Sequence, residues 1–389
     1  MTTRAVPALL RDLNERTVLE AIRRSAPISR AQISRRSGIS KPTVSLALRA
    51  LLDAGLVREA SAAEDGPSYG AVFFEPVPEA ALVLGFDLGV RFLRGGLSDL
   101  GGEVRARQDV EIGGLHVDAV VDAAHGLRAA LERASGLDGG LVDCAVVGVP
   151  GVVSAESPFV RLAGDVPGLG ERSLAADLEA QLGVPVTLEN DVNLAALGEH
   201  ARGVARGVDD FAFVSVGSGL GAGLVLDGRL HRGRNGAAGE LDYARGGRDE
   251  QDDPCAAAIS GFAQCLAASS ATTLEAPYGT RAIFAAARAG DDVARAVVEE
   301  TARRIAVHVL PVATAVDVSL VVLGGGIGSN GDLLLEPIRQ LLVDWLPFPP
   351  RVEVSALADG AVLAGALATG VEVARESVFV NRRAEVART

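Results

Sequence analysis

The chain of 389 residues has only three cysteines, Cys144, Cys255 and Cys265, which are widely spaced and odd in number. This pattern excludes a disulfide framework and fits a reducing compartment such as the cytoplasm. The sequence also lacks any uncharged apolar run of about 20 residues, so we expect no transmembrane helix and no membrane partner. Its first residues lack the long apolar core of a secretion signal, which again predicts a cytoplasmic protein.

Acidic residues are scarce at the start of the chain and abundant afterwards. Residues 1–60 contain 11 Lys and Arg against 5 Asp and Glu, a net charge of +6. The whole chain carries −13, which leaves −19 for residues 61–389. A basic head on an acidic body predicts that the head binds a polyanion. The alternative is a basic pair of helices that only faces solvent.

Serine, proline and glycine divide the basic head into three short helices. Apolar residues at helical spacing predict a first helix from Arg16 to Arg24. Ser29 can cap a second helix from Arg30 to Ser37, which Gly38 ends, and Ser40 can cap a third. Two short helices joined by a glycine turn predict a helix-turn-helix, and a three-helix protein-interaction module is the alternative.

The second and third predicted helices carry the side chains that suit DNA. Arginine and lysine neutralise phosphates, and hydroxyl groups reach base edges or phosphates. The predicted DNA-binding residues are Arg30, Arg35, Arg36, Ser40, Lys41, Thr43, Ser45 and Arg49.

A wing completes the predicted DNA-binding domain, residues 1–75. One strand begins at Leu56 and a second lies around Ala71 to Glu75, with the polar turn 62–70 between them. Pro76 and Pro78 then form a linker to the body.

Strands that end in glycine turns occur twice in the body, about 130 residues apart. Ala81 to Phe86 runs into Asp87-Leu88-Gly89, and Phe211 to Val216 runs into Gly217-Ser218-Gly219. This repetition predicts a two-lobed α/β body with a cleft between the lobes. We place the first lobe at 80–190, to which a helix at about 365–380 returns, and the second lobe at 191–364.

Polar side chains follow the strand that is predicted from Pro185 to Leu188. The run 189–193 lies at the carboxyl end of this strand, where α/β folds build their sites. Glu240, Asp242 and Tyr243 form a second polar edge. A further glycine turn, 324–328, suits either a nucleotide or simple close packing.

The chain resembles the ROK family (repressors, open reading frames, sugar kinases) in its repressor branch, which includes xylose and N-acetylglucosamine repressor types. The resemblance covers nearly the whole chain. Its most specific segments are Ser29 to Gly55, Glu189 to Glu199, Gly217 to Glu240 and Leu323 to Gly328. It implies a winged helix-turn-helix followed by an actin-like (ribonuclease-H-like) sugar kinase fold.

The resemblance also assigns roles to residues. It implies that Asp191 matches the catalytic base of the kinases, although Asp191 can alternatively cap the helix that follows. Asn190 and Glu240 match residues that hold sugar hydroxyls, and the backbone at Pro150 and Gly151 matches the pocket wall. The expected effector site is Pro150, Gly151, Asn190, Asp191, Glu240 and Tyr243. The expected remnant of a phosphate site is Asp87, Gly89, Gly217, Gly219, Gly221 and Gly325.

Three features of the family are missing. The first phosphate turn lacks its threonine, because Gly89 is followed by Val90-Arg91. Tyr243 stands where the family has a zinc-binding His, and only Cys255 follows in place of a cysteine cluster, so we predict no family-type zinc. The wing lacks the family's Gly-Arg-Pro.

We therefore predict a repressor that binds double-stranded operator DNA, as a homodimer or dimer of dimers, and senses a sugar or sugar derivative in the cleft. No cofactor is expected, and ATP with Mg²⁺ matters only if kinase activity is retained. One alternative is an active ATP-dependent sugar kinase that also binds DNA. The other is a regulator whose sugar pocket is vestigial and whose signal is a partner protein.

Overall fold

The structure is a computed structural model of the chain. It describes residues 7–61, 71–113, 116–154, 157, 159–162, 170–244 and 250–386. Within these ranges, the side chains of residues 7, 8, 243, 244, 250 and 382–386 are left out of the description.

The basic head folds as three helices and a small antiparallel sheet. Ser29 caps the second helix in a capping box with Gln32, and Ser40 caps the third. The sheet order is β1-β3-β2. The elements are α1 (Pro7–Ser25), β1 (Ile28–Ser29), α2 (Arg30–Ser37), α3 (Lys41–Asp53), β2 (Val57–Ala60) and β3 (Phe73–Pro76).

The predicted bounds of α2 and the predicted cap of α3 are confirmed. Both depend on capping and turn residues, which act on their immediate neighbours in the chain. The first helix differs: it begins at Pro7, and its early leucines, including Leu9 and Leu13, are exposed. The apolar periodicity therefore predicted only the C-terminal half of α1, which packs into the hydrophobic core of the head. The two-residue strand β1 was not predicted, and the predicted turn 62–70 of the wing lies outside the described residues.

The first lobe is a five-stranded sheet in the order β6-β5-β4-β7-β8. The first three strands are antiparallel neighbours, and β4, β7 and β8 are parallel. Its elements are β4 (Leu82–Leu88), β5 (Phe92–Asp99), β6 (Val104–Glu111), α4 (Val117–Ser135), β7 (Val142–Val149), α5 (Leu174–Leu182) and β8 (Val186–Asn190).

The second lobe repeats this sheet in the order β11-β10-β9-β12-β13, again with three antiparallel strands followed by parallel ones. This shared topology confirms the predicted two-lobed α/β fold. The elements are α6 (Asp191–Arg202), β9 (Phe211–Val216), β10 (Leu220–Leu226), β11 (Arg229–Leu230), α7 (Ala256–Ala267), α8 (Thr280–Ala289), α9 (Asp292–Val316), β12 (Leu320–Gly324), α10 (Gly325–Gly328), α11 (Gly331–Trp345) and β13 (Arg351–Val354).

The last helix, α12 (Ala361–Val386), connects all three parts of the molecule. It packs on α6 and on strands β4, β5 and β7 of the first lobe. One continuous hydrophobic cluster contains Val18 and Ile22 of α1 together with Val378 and Phe379 of α12. The basic head is therefore packed against the C-terminal part of α12.

Candidate ligand cleft and nucleic-acid interface

A cavity of about 520 Å³ lies between the two lobes. Its walls are the ends of β4, β7 and β8 on one side, and the β9–β10 turn, α10 and the start of α12 on the other. It brings together the predicted residues Pro150, Gly151, Asn190, Asp191 and Glu240, and also Asp87, Gly89, Gly217, Gly219, Gly221 and Gly325. Tyr243 lies in a 3-10 turn, Leu241–Ala244, and its predicted role rests on a side chain outside the described set.

Asn190, rather than Asp191, is the N-cap of α6. Its side-chain oxygen accepts a hydrogen bond from the Asn193 N–H at 3.0 Å, and its amide donates to the Gly151 carbonyl at 3.0 Å. The alternative that Asp191 caps this helix is wrong. Both neighbouring residue types suit a cap, so the sequence alone left the choice open.

Asp191 is the first residue of α6 and lines the cavity. Its Oδ1 accepts a hydrogen bond from the Val192 N–H at 2.8 Å. Burial, with a smaller contribution from the negative charges of Asp87 and Glu240, raises the pKa of Asp191 to about 7, although the hydrogen bond from the Val192 N–H opposes this shift. Burial, followed by the charge of Asp242, also raises the pKa of Glu240. A carboxyl that titrates near neutral pH can accept or donate a hydrogen bond to a sugar hydroxyl.

Asp87 is paired with Arg94, a cavity residue that the sequence analysis missed. Arg94 Nη1 donates to Asp87 Oδ2 at 3.0 Å, and the two residues are direct partners in the β4–β5 ladder. Burial raises the pKa of Asp87 to about 6, although the Arg94 charge opposes this shift. The register of a hairpin that turns at 89–92 would have revealed this pair, because Asp87 and Arg94 each lie two residues from the turn.

A family kinase needs a carboxylate and a hydroxyl at this turn to position Mg²⁺ and phosphate. Here the carboxylate of Asp87 accepts a hydrogen bond from Arg94. Arg91 takes the sequence position of the threonine and pairs with Glu111 at 2.8 Å. This turn therefore keeps the carboxylate of the kinase pattern and lacks its hydroxyl.

A carboxylate lies beside the second glycine turn, residues 217–219. The Leu220 N–H donates to Asp242 Oδ2 at 3.4 Å, and Asp242 lines the same cavity. A negative charge beside backbone N–H groups repels a phosphate that would otherwise bind them. Gly325 has φ +78°, and a Cβ there would overlap the backbone of Val216, so this glycine serves close packing.

Asp252 and Asp253 contact α9. Arg303 pairs with Asp252 at 2.7 Å, Arg304 donates to the Asp253 carbonyl at 2.9 Å, and His308 lies 3.0 Å from the Asp252 carbonyl. In the part of the chain that the structure describes, no group of three His, Cys, Asp or Glu side chains is placed to hold a metal. Residues 245–249 lie outside that part, so the absence of zinc stays a prediction.

Several of the predicted DNA-binding residues lie side by side on α2 and α3. Lys41, Ser45 and Arg49 follow each other at intervals of four along α3, and Arg30 Nη1 donates to Ser45 Oγ at 3.1 Å. Arg30, Arg35, Arg36, Lys41 and Arg49 are exposed. Among the described residues, none of these five cations is paired with a carboxylate. Ser40 and Thr43 are partly engaged, because Ser40 Oγ lies 2.8 Å from Thr43 Oγ1 within the cap.

Within the described ranges, no helix combines the length and apolar character that a membrane span requires.

Comparison with known proteins relates both parts of the chain to families. Residues 83–370 match the ROK family, and residues 12–66 match the MarR family. The chain is 28% identical over 391 residues to a putative xylose repressor of Caldicellulosiruptor sp. strain Rt8B.4, which covers 93% of this chain and 96% of that protein.

Two solved structures share the fold. One is a ROK family transcriptional regulator, a homologue of the E. coli MLC protein, with a TM-score of 0.78 and 24% identity over 97% of this chain and 99% of that one. The other is a ROK family glucokinase from Streptomyces griseus in complex with glucose and AMPPNP, with a TM-score of 0.64 and 27% identity over 75% of this chain and 100% of that one. The first likeness extends over the DNA-binding domain as well as the two lobes.

Proposed function

The chain belongs to the ROK family, and we propose that it is a sugar-responsive, DNA-binding transcriptional repressor. The observation that carries this proposal is that one helix, α12, lines the cleft at its first residues and packs on the DNA-binding domain near its end. A ligand that changes the cleft therefore acts on an element in direct contact with the DNA-binding head. The similarity to repressors over more than nine-tenths of the chain supports the same assignment.

The head supplies the DNA contact. Exposed cations on α2 and α3 would bind phosphates, and the hydroxyls at the start of α3 would meet base edges in the major groove. A palindromic operator would be read by two heads, so the proposal includes a homodimer or a dimer of dimers.

The cleft is suited to a neutral sugar. It is lined by the carboxyl groups of Asp87, Asp191, Glu240, Asp242 and Asp359, and Arg94 is the one cation among its described residues. Carboxyl groups accept hydrogen bonds from sugar hydroxyls and repel phosphates. Since relatives at 27–28% identity are named xylose repressors, xylose is the first sugar to test.

The path from cleft to head is built from packed helices. Ala361 and Val362 of α12 line the cavity. Glu199 of α6 is fully buried and accepts hydrogen bonds from Ser355 Oγ and from the Leu357 N–H, which fixes the segment just before α12. At the other end, Arg16 of α1 pairs with Glu376 of α12. Closure of the lobes on a sugar would move α12 and with it the head, and a coupling of roughly 1–3 kcal/mol suffices for regulation.

We also propose that the chain does not phosphorylate its sugar. Support comes from Asp87, which accepts a hydrogen bond from Arg94, and from Asp242, whose carboxylate lies beside the glycine turn 217–219. An active kinase remains the second candidate because Asp191 has the position and the raised pKa of a general base. Sugar-dependent release of ADP from ATP, lost in Asp191→Ala, would establish the kinase. No turnover across a broad sugar panel would exclude it.

Thermal unfolding with a panel of neutral monosaccharides, without ATP, tests the sensor half of the proposal. We expect one sugar to raise the Tm saturably in the parent and to lose this effect in Glu240→Ala. If no sugar shifts the Tm, the cleft is vestigial, and control by a partner protein replaces the sugar in the account. The predicted cytoplasmic location stays an expectation.

A further inference from the structure

A second, smaller cavity lies where the DNA-binding domain meets the body. Its volume is about 120 Å³. Its walls include Arg23 of α1, the interdomain segment 76–78, Leu100 and Arg375 of α12. Roughly 10–15 Å³ of such space holds one water, so this cavity admits a small oxyanion as well as several waters. It is separate from the interlobe cleft and shares no lining residue with it.

Two guanidinium groups face this cavity, and they differ in their hydrogen bonds. Arg375 donates from Nε and Nη2 to the Leu100 carbonyl, at 3.0 and 2.7 Å. Arg23 is partly buried, and no residue in the described part of the chain accepts a hydrogen bond from its side chain. Burial, and next the positive charge of Arg375, lower the pKa of Arg23.

The carboxylates of the surrounding elements are already engaged. Glu20, one turn before Arg23 on α1, pairs with Arg24 at 2.6 Å. Glu79 pairs with Arg105 at 2.9 Å, and Glu376 pairs with Arg16. The charge of Glu20 offsets part of the charge of Arg23, but no carboxylate in the described part of the chain forms an ion pair with Arg23. Two like charges that are partly removed from water cost free energy unless an anion joins them.

We propose that this cavity binds a small tetrahedral oxyanion, inorganic phosphate or the phosphate group of a metabolite, between Arg23 and Arg375. Guanidinium groups bind phosphate through directed, charge-assisted hydrogen bonds. Since Arg23 belongs to the DNA-binding domain and Arg375 to the helix that leads from the cleft, the bound anion joins the two. It stabilises one placement of the head on the body, independently of the sugar.

The test measures the Tm of the full chain during a titration with potassium phosphate against potassium chloride, at constant ionic strength and pH. We expect a saturable rise in the parent of roughly 2–4 °C. Arg23→Gln should lose this rise while it keeps a cooperative transition. The matched control is Arg24→Gln, because Arg24 is the next residue on α1, carries the same charge and is exposed. It should respond to phosphate as the parent does.

Two further measurements complete the test. One distinguishes inorganic phosphate from a phosphorylated metabolite, and the other distinguishes failure of the anion site from failure of the proposed repressor function. A response to glucose 6-phosphate at concentrations far below those needed for inorganic phosphate would identify a metabolite as the source. The absence of any phosphate response in the parent, or an equal response in all three proteins, would overturn the anion site. DNA binding is measured in chloride in parallel. If it persists in that case, only the anion site fails and the repressor assignment stands.

Discussion

Gly198 in α6 and Gly365 in α12 lie where the two helices cross, and each contacts the backbone of the other helix. A Cβ on Gly198 would overlap the carbonyl oxygen of Ala361, and a Cβ on Gly365 would overlap that of Leu194. The helix backbones therefore touch, which side chains of any size would prevent. Because α6 and α12 both begin at the cleft, this crossing fixes α12, and through it the DNA-binding head, relative to the ligand site.

Gly365→Ala should destabilise the protein because the added methyl group has to push the helices apart. We expect a loss of roughly 1–3 kcal/mol, measured as a lower denaturant midpoint. Gly126→Ala is the control, since Gly126 is an exposed glycine within α4 whose Cβ would have open space. There alanine should leave stability unchanged or raise it, because it is the better helix former. Equal effects at the two positions would refute the close crossing.

Lys41→Ala and Arg49→Ala should weaken DNA binding at physiological salt. Each cation is exposed on α3 and would neutralise one phosphate, so the slope of log affinity against log salt should fall by about one. Arg281→Ala, which removes an exposed cation on α8 of the body, should leave both affinity and slope unchanged. If Arg281→Ala matched the α3 variants, the contact would be a general charge effect, and the assigned surface would be wrong.

Asp191→Asn should stabilise the protein at alkaline pH. The folded pKa of about 7 lies above the ordinary value of 3.8 for an aspartate, so between these two pH values the folded state holds a proton that the unfolded chain has released. The Asp191 contribution therefore falls as the pH rises towards 7, and above that the folded state carries the full cost of a buried charge. The Tm gain of the variant should grow by roughly 2–4 °C between pH 5 and pH 8. Asp122→Asn, on the exposed face of α4, is the control and should show no such trend.

Arg94→Ala should leave the buried Asp87 without its partner. We expect a loss of roughly 1–3 kcal/mol at pH 8 and a smaller loss at pH 5, where Asp87 can be protonated. The double variant Arg94→Ala/Asp87→Asn should recover part of this loss, because the unpaired charge is gone. A double-mutant cycle measures this coupling. Strict additivity of the two substitutions would show that the pair contributes nothing.

The sequence predicted best what local chemistry decides. Ser29, Ser40 and Gly38 marked the helices of the head because capping and turn residues act on their immediate neighbours. The bounds of β9 match the prediction because Asp210 and Gly217 flank its apolar segment. The cleft residues were predicted from the resemblance, and the structure gathers all of them except Tyr243 along one cavity.

The rest depends on residues that are distant in the chain. The Gly198–Gly365 contact joins helices more than 160 positions apart, and no local pattern distinguishes these glycines from those in turns. The raised pKa of Asp191 arises from burial between two lobes. Arg23 and Arg375 meet only because α12 returns across the first lobe to the head. Hydrophobic periodicity and local motifs do not predict contacts between residues that are so far apart in the chain.

The most direct test of the central claim is the affinity of the purified protein for the DNA upstream of its own gene, measured without ATP and with and without xylose or the sugar that raises the Tm. The account predicts salt-sensitive binding whose Kd changes at least fivefold with one sugar, and that sugar should bind with a Kd changed by the same factor when DNA is present. Salt-sensitive binding that no sugar alters would contradict the sensor. The absence of binding to any promoter fragment would contradict the DNA-binding assignment itself.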